Sequence, residues 1–323
     1  MMPLGLGLIG AGMAGARYAE AVGLTDAVNL RGMAPTSSGR AQKLAEEIDC
    51  RVMTVDALLS DPSIDLVCVA TPNATHAPLA MATADAGKHC ILEKPIALDR
   101  QEALGIINAF RARGLTLAIP YLRRHDRLWR DLHKRLSEGH LGKLNWIDLE
   151  VRAYRPPAYF TDASWRGAEG QGGVLLNQAI HFVDLALWLA GTDQLVRTVA
   201  TIQSLRPAFE PEDHAIVYTQ LAGGCRLSLR ADTCLAPNRE TVIRLATERG
   251  AMEATESAVI HWQFPPDILP PVVGTVGWGA EGMAAILNDT AEAIREGRMP
   301  KADGTAGLAS LNAVLTMLEA GAR

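Results

Sequence analysis

The stretch "LGLGLIGAGMAGARYAEAV" (Leu4–Val22) decides how the fold is read. An apolar run, "LGLGLIG", reads as a strand, and a helical pattern follows from about Ala14 to Val22. Between them "GAGMAG" (Gly10–Gly15) matches G-x-G-x-x-G. Placed between strand and helix, each glycine has a task. Gly10 permits the tight turn, Gly12 lets a pyrophosphate approach the backbone, and Gly15 lets helix and strand pack closely. The helix opening at Met13 and Ala14 then directs free N–H groups and a partial positive charge at the phosphates.

Outward from this turn, strand and helix patterns alternate as far as Tyr121. "VNLRGMA" is a second strand, with a helical pattern near Arg40 to Ile48. "DLVCVATP" is a near-continuous apolar run, as in a strand buried on both faces of a parallel sheet. A helix near His76 to Asp85, the strand "KHCILEKP", a helix over Arg100 to Arg113 and the strand "LTLAIPY" complete the series. Such alternation predicts an α/β, doubly wound parallel sheet, a Rossmann domain over residues 1–121.

After Tyr121 the pattern changes. A helix (about Leu128 to Glu138) leads to the strand "LNWIDLEVRA" and an irregular segment, "YRPPAYFTDASWRGAEGQGG". Next comes "GGVLLNQAIHFVDL" (Gly172–Leu185), read as one helix with Asn177, His181 and Asp184 at i, i+4 and i+7, on one face. Strand-like runs follow at 198–203, 215–221, 225–232 and 240–246. In the third, Cys225, Leu227, Leu229 and Ala231 alternate with Arg226, Ser228, Arg230 and Asp232, giving one buried and one polar face. Helical segments at about 282–295 and 305–319 end the chain. Residues 122–323 are thus expected to form an α+β domain with a mostly antiparallel, open sheet.

Composition narrows the function classes. The 323 residues are 48% hydrophobic and 21% charged, with a formal net charge of −5. That balance argues against a nucleic-acid or anionic-membrane partner. The densest basic cluster, Arg123–Arg135, is interleaved with acids and apolar residues, as on a solvated helix face. Five cysteines (50, 68, 90, 225 and 234) form no CxxC pair, which suits a reducing cytosol and a cytoplasmic protein. The apolar N-terminus lacks the basic region of a signal peptide, and no run approaches the ~18 apolar residues of a membrane span.

Nicotinamide cofactors are sorted at the end of the second strand, where an acid would bind the adenosine ribose and repel a 2′-phosphate. No acid lies between Asp26 and Glu46. Thr36, Ser37, Ser38 and Arg40 stand there instead, hydroxyls and a guanidinium that suit a 2′-phosphate. NADP is therefore favoured over NAD; a plain Ser-rich loop is the other reading.

Several motifs carry a wider resemblance: "ATPNATH" (70–76), "ILEKPIAL" (91–98), "YLRRHD" (121–126), "SWRG" (164–167), the 172–191 helix, "EDHAIVYTQLAGG" (212–224) and "EAIREGRMPKADGTAG" (292–307). With the glycine turn, the chain resembles the glucose–fructose oxidoreductase / inositol dehydrogenase (Gfo/Idh/MocA) family over essentially its whole length. The resemblance implies oxidation of a secondary alcohol of a sugar, polyol or sugar derivative, with hydride passing to the nicotinamide. It implies that Lys94 contacts the reacting hydroxyl and that Glu93 faces the nicotinamide ribose. Pro95 would fix the turn, through a cis bond. Thr71, Pro72 and Asn73 would line the cofactor edge, and His76 either joins them or serves as a helix-start histidine. His181 is the candidate general base, an imidazole being suited to proton transfer near neutral pH.

Asn177 departs from the Asp that many family members carry. An amide takes no proton at neutral pH, so Asn177 is expected to orient substrate or His181. Asp184 either receives the other N–H of His181 or is engaged elsewhere. Substrate contacts are expected from Arg124, Tyr154, Tyr159, Trp165 and Arg166, which combine donors with flat faces. No metal is expected, because Asn is a poor ligand and no fourth residue is evident. An uncovered sheet face suggests a homodimer or homotetramer. Two other functions stay open: a catalytically silent NAD(P)-binding sensor, and a reductase running the same chemistry in reverse.

Overall fold

The structure is a computed structural model and describes residues 2–35, 40–48, 50–161, 164–168, 170–206, 209–274 and 276–322. The chain divides into two compact units, Met1–His125 with Val276–Leu308, and Asp126–Thr275 with Ala309–Arg323.

The N-terminal part of the first unit runs β1 (Leu4–Ile9), α1 (Met13–Val22), β2 (Val28–Ala34), α2 (Arg40–Glu47), α3 (Val55–Ser60), β3 (Leu66–Val69), α4 (His76–Asp85), β4 (His89–Leu92), α5 (Arg100–Ala112) and β5 (Leu117–Ala118). All pairs are parallel, in the order β2-β1-β3-β4-β5. A single parallel bridge, Met33 to Val52, extends the sheet beyond β2. β3 is buried along its whole length, as its unbroken apolar run requires of a strand with layers on both faces. Local chemistry sets the helices. In α5 the Asp99 carboxylate accepts from the N–H groups of Gln101 and Glu102 at 2.7 and 2.9 Å. Ala103, Ile106, Ile107 and Phe110 then bury one face at i, i+3, i+4 and i+7.

The second unit holds α6 (Arg127–Ser137), β6 (Leu144–Arg152), α7 (Pro157–Thr161), a single π-helical turn (Leu175–Ala179), α8 (Ile180–Ala190), and then β7 (Leu195–Gln203), β8 (His214–Leu221), β9 (Arg226–Asp232), β10 (Val242–Thr247), β11 (Ala251–Thr255) and β12 (Val259–Gln263). The sheet order is β12-β11-β10-β6-β9-β8-β7, antiparallel except for β6 against β9. The last two strands extend beyond the elements read from sequence, because β12 alternates too weakly to signal a buried face. One face packs Ile147, Leu149, Val217, Leu227, Leu229 and Ile243 into the core. The other carries a polar ladder in which Trp146 Nε1 donates to Ser228 Oγ at 3.1 Å, Ser228 donates to Asp148, and Arg244 bridges Asp148 and Glu253. The alternation read in β9 fails at its end: Asp232, expected on the polar face, is wholly buried.

Two helices close the chain, α9 (Ala280–Glu296) and α10 (Gly304–Gly321). Here the structure differs from the 1–121 and 122–323 division. α9 belongs to the first unit, where Met283, Ile286, Leu287 and Ala291 join Leu6, Leu8, Tyr18 and Met33 in one hydrophobic cluster. The physical reason is the apolar stripe of α1, which needs a cover that residues 1–121 do not supply. Leu287 is fully buried there. Leu287→Ala is therefore expected to destabilise the first unit by about 2–5 kcal/mol, read as a lowered midpoint in urea unfolding.

Candidate active site

Three neighbouring strands, β1, β3 and β4, deliver the candidate residues at their carboxyl ends, where doubly wound sheets hold ligands. At the first, Gly10 has φ +102°, and a Cβ would collide with the Ala70 carbonyl oxygen. A Cβ on Gly15 would strike the carbonyl oxygen of Gly10. Around Gly12, by contrast, a Cβ would meet nothing within 4 Å. The first turn of α1 has no side-chain cap and no acidic residue. Two glycines are thus used for packing and the third leaves the approach to uncapped N–H groups open, an arrangement that fits a dinucleotide pyrophosphate. Met13 is half exposed beside this opening, and Ala14 is partly buried. Thr36, Ser37 and Ser38 lie outside the described residues, as does the side chain of Arg40.

At the end of β3, Pro72 is partly exposed while Thr71 and Asn73 are buried. The Thr71 hydroxyl accepts from Thr75 Oγ1 at 2.7 Å. His76 is placed differently from a residue lining the cofactor edge. It is completely buried, with Nδ1 2.7 Å from the Pro95 carbonyl oxygen and Nε2 3.0 Å from that of Thr71. Its neutral ring has one N–H, so it donates to one of these carbonyls and packs against the other, between the β3 and β4 loops. Burial holds its pKa below the ordinary histidine value, and nearby Lys94 pushes it further down.

At the end of β4, Glu93 and Lys94 are both partly exposed, and the Lys94–Pro95 bond is cis as expected. The Glu93 carboxylate accepts from the Lys94 N–H at 3.3 Å. Burial raises its pKa, opposed by Lys94, by its hydrogen bonds and by Arg17. The buried Tyr18 phenol of α1 interacts with this carboxylate and has its own pKa raised well above normal by desolvation. Tyr18 was missed in the sequence because it reads as one more apolar position of α1. Arg124, near the end of the β5 loop, gives Nη1 to the Lys301 carbonyl at 3.1 Å.

In the second unit the 172–185 helix is not one regular α-helix. Residues Leu175–Ala179 form the π-turn, and α-helix begins only at Ile180. Asn177 therefore sits in the wider turn, and the simple i, i+4, i+7 face does not apply across it. From Gly172 to Leu187 every residue is buried except Asn177 and His181. Asp184 is 1% exposed and accepts from Ser310 Oγ at 3.2 Å, so it is engaged in the core behind the helix.

Part of the expected substrate set is engaged within its own loop. The Arg166 guanidinium lies over Tyr159 at 4.2 Å and Trp165 at 5.4 Å, and its Nη1 donates to the Tyr159 carbonyl at 3.1 Å. Tyr159 OH is 3.4 Å from Gln178 Nε2, on the π-turn. Behind them, the Arg206 guanidinium covers Phe160 and donates to the carbonyls of Arg155 and Thr233. Asp213 is fully buried and accepts from the N–H groups of Leu205 and Arg206.

Glu212 is the residue that sequence reasoning passed over. Its Oε1 accepts from the Leu175 N–H at 2.9 Å. Burial pushes its pKa up to about 7 against the hydrogen bonds it accepts, and neighbouring Asp213 pushes the same way. The signal was the glycine pair itself: Gly173 has φ +98°, and a Cβ there would overlap the Glu212 carboxylate.

Comparison with known proteins identifies the family of the chain. Residues 4–121 match "Oxidoreductase family, NAD-binding Rossmann fold", and residues 129–253 match "GFO/IDH/MocA C-terminal domain". The chain belongs to the Gfo/Idh/MocA oxidoreductase family. Its first unit thus contains the NAD-binding Rossmann domain of that family. Among curated members, scyllo-inositol 2-dehydrogenase (NADP(+)) IolW of Bacillus subtilis (strain 168) is 28% identical over 65% of this chain and 57% of that enzyme. UDP-N-acetylglucosamine 3-dehydrogenase of Acidithiobacillus ferrooxidans is 27% identical over 98% of this chain and 96% of that enzyme. The chain spans about half the length of several other curated relatives it matches. The WlbA dehydrogenase of Bordetella pertussis, solved with NADH and UDP-GlcNAcA, shares the fold at a TM-score of 0.88 and 23% identity, covering 99% of this chain and 97% of that one.

Two outcomes follow from these local geometries. Gly12→Val is expected to leave the melting temperature unchanged and to weaken NAD(P)H binding by about tenfold or more (~1.4 kcal/mol), measured by fluorescence titration. Glu212 has a higher pKa folded than its ordinary value of 4.5, so the folded chain binds more protons between pH 4.5 and about 7. Stability from this group is full below that window and declines as pH rises through it. Glu212→Gln removes the decline, so urea unfolding should show the variant gaining on the wild type from pH 5 to pH 8, by at most about 3 kcal/mol.

Proposed function

We propose that the chain is an NAD(P)-dependent dehydrogenase acting on a secondary alcohol of a sugar, polyol or sugar derivative. The observation that carries this reading is the pairing of an open, uncapped α1 N-terminus at Gly12 with Lys94 at the carboxyl end of β4. A second support is that Asn177 and His181 alone escape burial between Gly172 and Leu187. The relatives named as inositol and UDP-N-acetylglucosamine dehydrogenases support the substrate class.

When bound, the nicotinamide supplies the hydride acceptor. The α1 N-terminus and Gly12 bind the pyrophosphate, while Pro72, Thr71 and Asn73 shape the neighbouring loop. Glu93 engages the ribose from the partly exposed end of β4. Lys94 donates from its ammonium to the reacting oxygen and stabilises the alkoxide as charge develops. His181 takes the hydroxyl proton, in its neutral form, and Asn177 orients the substrate by hydrogen bonds because an amide cannot share the proton. Arg124, Tyr159, Trp165 and Arg166 contribute to sugar binding through whatever donors and ring faces their mutual stack leaves available.

NADP is proposed as the preferred cofactor, on the hydroxyl-rich, acid-free 36–40 segment. A homodimer or homotetramer is proposed on the outward sheet face, where Val196, Val199 and Tyr218 are more than half exposed. No helix among the described residues is long and apolar enough to cross a membrane.

The experiment is a screen of sugars, polyols and nucleotide sugars with both cofactors, following the absorbance of reduced nicotinamide. Lys94→Ala and His181→Ala are each expected to lower turnover by about 10²-fold or more while cofactor binding survives. Unchanged turnover in both would remove them from the reaction.

A further inference from the structure

One joint in the second unit connects the start of the Asn177–His181 helix to the segment entering β8. Val174 N–H donates to the Glu212 main-chain carbonyl at 2.9 Å, and Leu175 N–H donates to Glu212 Oε1 at 2.9 Å. One residue thus holds two successive N–H groups, with its main chain and with its side chain. The carboxylate occupies the volume that a Cβ on Gly173 would need, and Gly172 lies equally close to the Arg166 carbonyl. The π-turn begins at Leu175, the residue the carboxylate grips, and contains Asn177. His181 follows one residue into α8.

A π-turn spreads its residues over a wider loop than an α-turn and so shifts the side chains it carries relative to those of the following α-helix. We propose that Glu212 is the positioning residue of the candidate active site: its carboxylate, seated against Gly173, pins Leu175 and so fixes the π-turn that sets Asn177 relative to His181. The roles of Asn177 and His181 rest on the proposed function; the joint itself does not.

Chemistry supports the choice of residue. A buried carboxylate is a costly way to satisfy one N–H, since an amide of the same shape would accept the bond without a charge to desolvate. The ionised form, however, makes a charge-assisted bond about twice as strong as a neutral one. The groups facing Glu212 do little to neutralise it. Asp213, beside it, carries the same charge and is itself tied to the Leu205 and Arg206 N–H groups, with the Arg206 guanidinium 3.9 Å away. Arg166, from the preceding loop, presents its carbonyl at Gly172 and turns its guanidinium to Tyr159. Burial favours the protonated form more than this bond favours the charge, so ionisation of Glu212 toward neutral pH loosens the joint and protonation tightens it.

Two measurements on the full-length protein test this. The first is hydrogen–deuterium exchange of the 173–180 segment between pH 6 and 8, corrected for intrinsic exchange. Protection in the wild type is expected to fall by about tenfold as Glu212 ionises, and Glu212→Gln is expected to abolish that fall. The second is the 13Cε1 signal of His181 in histidine-labelled protein at pH 8, with His133, stacked on Trp188 at 4.1 Å in the same unit, as internal control. Glu212→Ala should move the His181 signal, Glu212→Gln should move it less, and neither should move that of His133. The same pH dependence of exchange in wild type and Glu212→Gln would overturn the proposal, as would a His181 signal displaced no further than that of His133. Neither readout requires turnover, so a chain inactive on every tested alcohol would defeat the proposed function and leave this joint to be decided separately. If Glu212→Ala does not fold, the exchange profile of Glu212→Gln decides alone.

Discussion

The close approach of three backbone segments around Gly10 governs the first unit. The Gly10 N–H donates to the Ala34 carbonyl at 2.9 Å, its missing Cβ admits the Ala70 carbonyl, and its own carbonyl lies where a Cβ on Gly15 would be. The ends of β1, β2 and β3 and the start of α1 are thereby drawn together with no side chain between them. Helix N-terminal N–H groups come to the edge of the sheet, and the opening at Gly12 is the space that remains. Because β4 lies next to β3, the same packing brings Glu93 and Lys94 to that edge. His76 then lies between the two loops, its ring nitrogens against the carbonyls of Thr71 and Pro95.

The second unit solves a different problem. A helix buried on nearly every side has to expose two polar side chains without leaving their neighbours unsupported. Asp184 and Ser310 satisfy each other inside the core, Gln178 reaches the Tyr159 hydroxyl, and Glu212 takes the N–H of Leu175. These polar residues near the helix are thereby used as supports, and Asn177 and His181 stay partly exposed at its surface. Much of the aromatic and cationic character of the 154–170 segment is used the same way, in the stack of Arg166 on Tyr159 and of Arg206 on Phe160.

Most of the fold was legible in the sequence. β2 and α4 lie at their expected residues, and α5, with its Asp99 cap, ends within a residue of the reading, because period and capping are local properties. The short α3 and the strands β11 and β12 were not visible, since none carries an apolar pattern long enough to stand out. Within the site, the tasks of Gly10, Gly12 and Gly15 were readable because each is a steric demand on one backbone position. For His76 and Asp184 two readings each stayed open. Both are polar residues beside apolar ones, and only the direction of burial separates a support from a group that meets a ligand. Tyr18 and Glu212 were passed over for the converse reason, each lying in a run whose other residues are explained by packing or strand formation.

By itself the sequence determined the parallel Rossmann unit and the glycine turn, because periodicity and glycine spacing act over a few residues, and its longer motifs carried the resemblance to the family. Tertiary structure decided what depends on distant segments meeting. It returned α9 to the first unit to cover α1, and it enclosed Asp184. It also broke the regular helix with a π-turn at Asn177. In the last case three of the five residues of the turn are apolar and the residues before and after it are apolar too, so the wider turn leaves little mark on the hydrophobic pattern. The partner that holds its start, Glu212, is 37 residues from Leu175 in the chain. Burial at that contact also raises the pKa of Glu212 to about 7, a property of the folded surroundings and not of the glutamate.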